Sequence, residues 1–347
     1  MRNRRGHFVA FDFRKQAFLC FIFLLFLSSV ELYFRFFYVE TDSEMITLSG
    51  RAWVRKYCRY NRQHFRDDRY FGSMKPKNVF RIGILGDSFV EGQGIKDPNN
   101  RFSNILEDTI KRKFNGNCEV YNLGKCGWDT NNERNFFLEE GITYDLDVLI
   151  LSVVEMNDFL QMHIANIPEL KDEYLDIRYR DKMLSKMVGY FVDNSYAASF
   201  FYAQFLKVRK GSIEKEVVKK AQAVMANKDN WDIFMKCILR IRRACQNNDI
   251  KFYLISFPGL HLGKNADLLQ LQAEYKKIFE SYLNKENIDH LFLGEYFEKY
   301  AGEDLTVSQF DLHPNELANK IVAKSLLLLP GIRDRCGEEI VMGSDEV

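Results

Sequence analysis

The sequence has 347 residues, is 46% hydrophobic and 14% aromatic, and carries a formal net charge of +1. That length suits one large α/β domain with appendages or two small domains, and the near-neutral balance argues against a nucleic-acid partner. The seven cysteines are scattered with no CxxC pair, so neither a zinc site nor a disulfide framework is indicated.

The chain opens with a basic segment, residues 1–16, holding Arg2, Arg4, Arg5, Arg14 and Lys15. Ala17 to Val30 then carries no charge, and the apolar character runs on to Val39. A helix over 17–39 is long enough to cross a bilayer, which needs about 20 residues. Glu31 and Arg35 interrupt it four residues apart, on one helical face, in the order that pairs best. The expectation is a retained single-pass anchor with residues 1–16 cytoplasmic. A cleaved signal peptide lacks a small-x-small site here, and a buried core helix is rarely Phe-rich on every side. Arg51, Arg55, Lys56 and Arg59 beyond the span nearly balance the basic residues before it, so charge only modestly favours an exported domain.

Residues 40–78 are polar, rich in Arg and Tyr, and weakly periodic. They are expected to form an extended lead-in that wraps the domain. The basic string from Arg51 to Arg69 is expected to be a solvated surface, with contact to anionic headgroups as the alternative. From Val79 the pattern becomes β–α–β: a strand at 79–85, a helix near 100–114, a strand at 118–122, a helix at 130–141 and a strand at 147–154. The long strands are almost continuously apolar, as in sheets covered on both faces, and their alternation with helices predicts a doubly wound parallel sheet. Residues 160–227 break the rhythm as an aromatic-rich helical insert. Its aromatics are expected to pack on the core, with a lid or a membrane-resting surface as alternatives. A helix at 229–247, a strand at 250–257, a helix at 265–285, a short strand at 289–293 and a helix near 314–329 follow. The tail from 331 looks loose and polar.

Four blocks fall at strand C-termini or in loops entering helices, the edge where open α/β sheets bind ligands. They are Gly86-Asp87-Ser88, Asn122 to Thr130, Glu155 to Asp158, and Asp311 to Asn315. Their chemistry is complementary. Ser88 is a weak nucleophile until a base takes its proton, and His313 is the natural base. Asp311, two residues earlier, can orient the imidazole as in a triad. The backbone N–H groups of Ser88 and Gly127 and the side-chain amide of Asn157 can receive an oxyanion. Each residue alone also has an ordinary structural explanation as a turn, a cap or a loop position. The conjunction points to a site. His7, His64, His163, His261 and His290 lie far apart without ligand spacing, so no metal or cofactor is expected.

The four blocks, GDSF, NLGKCGWDT, EMND and DLHPN, resemble those of the SGNH hydrolases, the GDSL-type esterases and lipases, from about Phe80 to Leu329. The apolar anchor and polar lead-in resemble membrane-attached bacterial members. The resemblance implies a flavodoxin-like three-layer α/β/α domain over 79–330 and an exported site. It also implies a serine ester hydrolase using Ser88, His313 and Asp311 through an acyl-enzyme, with an oxyanion hole from Ser88, Gly127 and Asn157. An O-acylated carbohydrate or a lipid is the implied substrate. Acyl transfer to a polysaccharide hydroxyl uses the same residues, and a non-catalytic envelope-assembly module is a rival of another class. Three positions depart from the family: the Asp-x-His spacing, Glu155-Met156 in place of a glycine-rich lead, and Ala318-Asn319 where Gly-His often stands. Trp128 is a candidate pocket wall, with packing an equal account of it.

Overall fold

The computed structural model describes residues 13–42, 47–114, 117–164, 184–210, 214–260 and 266–336. Most of the basic start, part of the insert, His7, His261 and the end of the tail lie outside these. Five parallel strands form the central sheet: β1 (Phe80–Gly86), β2 (Cys118–Gly124), β3 (Val148–Val154), β4 (Lys251–Phe257) and β5 (His290–Phe292). Their order is β2-β1-β3-β4-β5, the flavodoxin-like order, in which the switch point lies between β1 and β3. Gly86 pairs with Gly124, and Leu85 with Leu151, so the C-terminal ends of β1, β2 and β3 share one edge.

Side chains alternate across the sheet with the period of two that a strand imposes. Ile82, Ile84, Val148, Ile150, Tyr253 and Ile255 face one core, while Leu85, Leu149, Leu151, Val153 and Leu254 face the other. The first core is closed by α4 (Phe102–Phe114), the short α12 (Gly294–Phe297) and α13 (Glu316–Leu326), the second by α5 (Thr130–Glu139), α6 (Asn157–Ile164), α10 (Lys228–Gln246) and α11 (Ala266–Lys285). In α10 the buried residues Trp231, Phe234, Met235, Ile238, Ile241 and Cys245 repeat at three and four, one apolar stripe on an otherwise charged helix. Each such large side chain contributes on the order of 1.5–3 kcal/mol by leaving water. The three-layer α/β/α arrangement is therefore the one the strand and helix patterns predict.

Several local expectations are corrected. The lead-in is not simply extended: α2 (Leu48–Tyr57) begins at Thr47, whose side chain accepts from the Gly50 N–H. Nor is its basic string a plain solvated surface. Arg66 is buried and donates to the carbonyls of Gly92 and Ile95, both at 2.6 Å, and Arg69 pairs with Asp67 and Glu107. The tail continues into the short helix α14 (Pro330–Cys336), which buries Ile332. A two-stranded antiparallel hairpin, β6 (Thr306–Ser308) and β7 (Asp311–Pro314), stands just before α13.

The first helix, α1 (Phe13–Phe36), has a mean hydropathy of 2.2 over its most apolar window and is long and apolar enough to cross a membrane. It starts earlier and ends earlier than the expected span. The insert supplies α7 (Leu184–Asn194), α8 (Tyr196–Lys210) and α9 (Glu214–Ala226). Of these, α9 packs into the core through Val218, Ala221, Val224 and Met225. By contrast α8 meets α1 and α2.

Candidate active site

The end of β1 turns sharply into α3 (Ser88–Glu91), a single helical turn. Asp87 caps it, its carboxylate accepting from the Phe89 N–H at 2.9 Å. Ser88 is thus the first helical residue, half-buried at the sheet edge. The turn must lie almost on the neighbouring strand end. A Cβ at Gly124 would come within 2.2 Å of the Glu91 backbone nitrogen, so only glycine lets β2 pass under α3.

Asp311 and His313 reach this edge on β7. An extended strand puts residues i and i+2 on one face, which is why Asp-x-His spacing works here where another backbone would need a different interval. His313 Nδ1 lies 2.5 Å from Asp311 Oδ1, and His313 Nε2 lies 2.8 Å from Ser88 Oγ. A carboxylate only accepts, so Nδ1 carries the proton, leaving the Nε2 lone pair to take the serine proton. Asp311 Oδ1 also accepts from the His313 N–H at 3.1 Å. The Phe89 ring lies tilted beside the imidazole, 5.2 Å between centroids.

Gly127 and Asn157 stand at the same edge, on the loops leaving β2 and β3, the strands that flank β1. Gly127 has φ +78° with open space around its Cα, so backbone conformation rather than room selects glycine there. Asn157 begins α6, and its amide oxygen accepts from Gln161 Nε2 at 3.1 Å, which leaves the NH2 group as its donor end. Met156 before it adopts φ +65°, a left-handed conformation costing a residue with a Cβ about 1–2 kcal/mol. The strain sits where the sequence departs from a glycine-rich lead.

Glu155 is buried and accepts from Ser256 Oγ and Gln272 Nε2, tying β3 to β4 and α11, and burial raises its pKa. Trp128 packs against Phe65 and Phe136 with Lys125 over its ring, which makes it part of the packing. Asn319, at the other departure, is buried. It accepts from the Phe102 N–H and donates to the carbonyls of Pro314 and Asn315, fastening α4 to the end of β7.

Three supporting residues were not singled out from the sequence. Glu91 is buried in α3, and its carboxylate accepts from the Tyr60 hydroxyl at 2.7 Å and the Cys126 N–H at 2.5 Å. It therefore joins the serine turn to the loop holding Gly127. Asn122 donates to the Val90 carbonyl and Ser103 Oγ while accepting from the Gly124 N–H. Asn122 lies inside one of the four blocks and Glu91 three residues beyond Ser88, but nothing in one sequence separates a supporting polar residue from an exposed one. Glu133 is buried on α5 with both carboxylate oxygens lacking a partner among the described residues, as does one oxygen of Asp158. Desolvation raises both pKa values well above the carboxylate range, and each group's neighbouring acids add to it. Asp87, also buried, is pushed up to about 6 by desolvation, against the pull of its hydrogen bond from Phe89 and the nearby His313. Among the described residues no group of His, Cys, Asp and Glu is placed to hold a metal ion.

No family model matches the chain, and no curated protein matches it. Among solved structures it is similar to a member of the lipolytic protein G-D-S-L family from Veillonella parvula, at 14% identity and TM-score 0.40, over 72% of this chain and 97% of that one. It is also similar to a catalytic mutant of Axe2, an acetylxylan esterase from Geobacillus stearothermophilus, at 11% identity and TM-score 0.47, over 77% of this chain and 98% of that one. At these identities and scores neither assigns a chemistry to this chain, whose own geometry has to supply it.

Proposed function

We propose that this protein is a serine ester hydrolase acting on O-acyl esters of carbohydrate or lipid at the cell envelope, held there by α1 with its domain exported. The observation that carries the reading is the line of contacts from Asp311 through His313 to Ser88, 2.5 Å and then 2.8 Å. Ser88 Oγ attacks the ester carbonyl as its proton passes to His313 Nε2, and Asp311 stabilises the imidazolium that results. The Ser88 and Gly127 N–H groups and the Asn157 amide receive the oxyanion. Collapse expels the alcohol, which takes the proton from His313, and leaves an acyl-serine. Water then enters, His313 takes its proton, and the acid departs with Ser88 restored.

Similarity to solved esterases is consistent with this reading, and the chemistry of this chain's own residues supports it. The test is a panel of acetyl to long-acyl esters with the full chain and Ser88→Ala. Turnover is expected to fall by on the order of 10⁴–10⁶ in the variant, with the folded state intact by circular dichroism. Undiminished turnover in Ser88→Ala would sink the proposal. Analysis of products with an added glycan distinguishes water from a sugar hydroxyl as acceptor.

A further inference from the structure

Helices α7 and α8 carry a row of large apolar side chains turned to solvent. Phe191, Phe201 and Phe205 are 56%, 57% and 58% exposed, with Tyr190 and Val188 beside Phe191. Large apolar side chains exposed together on two packed helices mark a surface with a use. The adjoining surface says what covers it. Phe34, the buried residue of α1, packs its ring 4.6 Å from Phe200 and 5.7 Å from Phe201. The exposed face of α8 therefore continues directly into the exposed apolar face of α1.

The depth of the contact is fixed by charge. Glu31 of α1 accepts from Ser195 Oγ at 2.7 Å and from the N–H groups of Tyr196 and Ala197, both at 3.1 Å. These are orphan donors at the start of α8, and an anion there is favoured by the helix dipole. Arg35 pairs with Glu31 and lies over the Tyr196 ring. The junction of α7 and α8 is thus held level with Glu31, five residues before the end of α1, about 8 Å short of that end at 1.5 Å per residue. Interfacial helices sink their apolar faces about 5–10 Å into the boundary between headgroups and acyl chains.

We propose that the α7–α8 hairpin lies in the membrane interface beside the span, with Phe191, Phe201 and Phe205 among the upper acyl chains. The partner is the lipid bilayer that holds α1. The hairpin also links that surface to the site. Phe200 meets Phe310 at 5.8 Å, and Phe310 immediately precedes Asp311. Ser199 Oγ accepts from the Leu48 N–H, bracing the lead-in from the same helix. The Asp311 end of the site is therefore the end near the bilayer. The inference rests on α1 as a retained span and is independent of the ester chemistry.

The experiment uses the full chain in nanodiscs of phosphatidylethanolamine and phosphatidylglycerol, with or without bromine on the upper acyl carbons. Phe205→Trp and Phe191→Trp each place a reporter on the hairpin, read against the three native tryptophans of the unmodified protein. Either variant is expected to lose emission in brominated discs beyond the loss of the unmodified protein, with a blue-shifted peak. If both behave like the unmodified protein and are quenched by aqueous acrylamide instead, the hairpin is out of the membrane and the inference fails. It fails equally if intact mass shows the membrane form to lack Glu31. Bromine quenching with no effect of Ser88→Ala on turnover would leave this inference standing and remove the proposed activity alone.

Discussion

Two groups of buried polar side chains at the sheet edge are held in different ways. Around the ends of β1 and β2 they are tied to one another: Glu91 to Tyr60 and Cys126, Asn122 to Val90 and Ser103, Arg66 to Gly92 and Ile95. Glu133 on α5, Ser152 in β3 and Asp158 on α6 instead bury oxygens that have no partner among the described residues, as do Arg66 Nε and Asp311 Oδ2 beside the tied groups. A buried charge needs such partners, and without them the group neutralises. The first group is therefore tied in place by hydrogen bonds, and the acids of the second are pushed toward the neutral form by burial. That division suits an ester hydrolase. In the proposed reaction the imidazolium forms beside Asp311 and the oxyanion beside Asn157, next in sequence to Asp158, whose pKa burial raises well above the carboxylate range. An ionised Asp158 there would oppose the developing negative charge.

The comparison is broken most severely where charge forms in the proposed reaction. His313→Ala removes the base, and kcat is expected to fall by on the order of 10⁴ or more with KM little changed. Asp311→Asn keeps the shape but lets the imidazole take the wrong tautomer, and a loss near 10⁴ in kcat is expected. Steady-state kinetics on any ester the wild type hydrolyses checks both. If Asp311→Asn keeps near-wild-type turnover, the imidazole is oriented by something other than this carboxylate. Next in size is Gly124→Ala. Its Cβ would meet the Glu91 nitrogen at 2.2 Å and the Val90 carbonyl carbon at 2.6 Å, both backbone atoms. A loss of roughly 2–5 kcal/mol in urea unfolding is expected, and a neutral result would mean that α3 is free to lift off β2.

How much of this was legible in the sequence follows from where the information lies. The strands could be read because each is an apolar run of fixed length, and β3, Val148–Val154, is buried throughout. The four blocks could be read because a nucleophile, a base and oxyanion donors are rare in that order. What was hidden depends on the chain's return to itself. Arg66 looks like a surface arginine until it is found under the Gly92 turn. The Asp-x-His interval looked like a departure until β7 placed both side chains on one face. Glu31 and Arg35 read as a pair within one helix, yet Glu31 spends its second oxygen on residues more than 160 positions away.

Asp87 sharpens the comparison through pH. Its carboxyl is raised from 3.8 to about 6 by burial, so the folded state binds a proton that the unfolded chain has already lost. Stability from this group is fully present below pH 3.8 and is lost as pH rises through about 6. The total is about 3 kcal/mol at 1.36 kcal/mol per unit. Asp87→Asn, which still accepts from the Phe89 N–H, is expected to be more stable than wild type near neutral pH and to flatten the dependence. Urea midpoints across that range measure it, and an unchanged slope would mean that the carboxylate is stabilised as an anion in place.

The smallest effect is expected at Glu133. Burial and the neighbouring Asp158 make its ionised form costly, so the raised pKa again means stability present at acid pH and lost as pH rises. Gln is the same shape and carries no charge. Glu133→Gln is therefore expected to stabilise the fold by about 1–3 kcal/mol near pH 8. At low pH, where the acid is protonated in both states, the gain should vanish. The ester chemistry separates two causes of such a gain. If the neutral form matters only for stability, kcat stays put. If it keeps negative charge away from Asn157, the variant also holds its kcat to higher pH than wild type, because position 133 can no longer ionise beside Asp158. A variant less stable than wild type at every pH would show that Glu133 has partners of its own, and the contrast between the two groups would not hold.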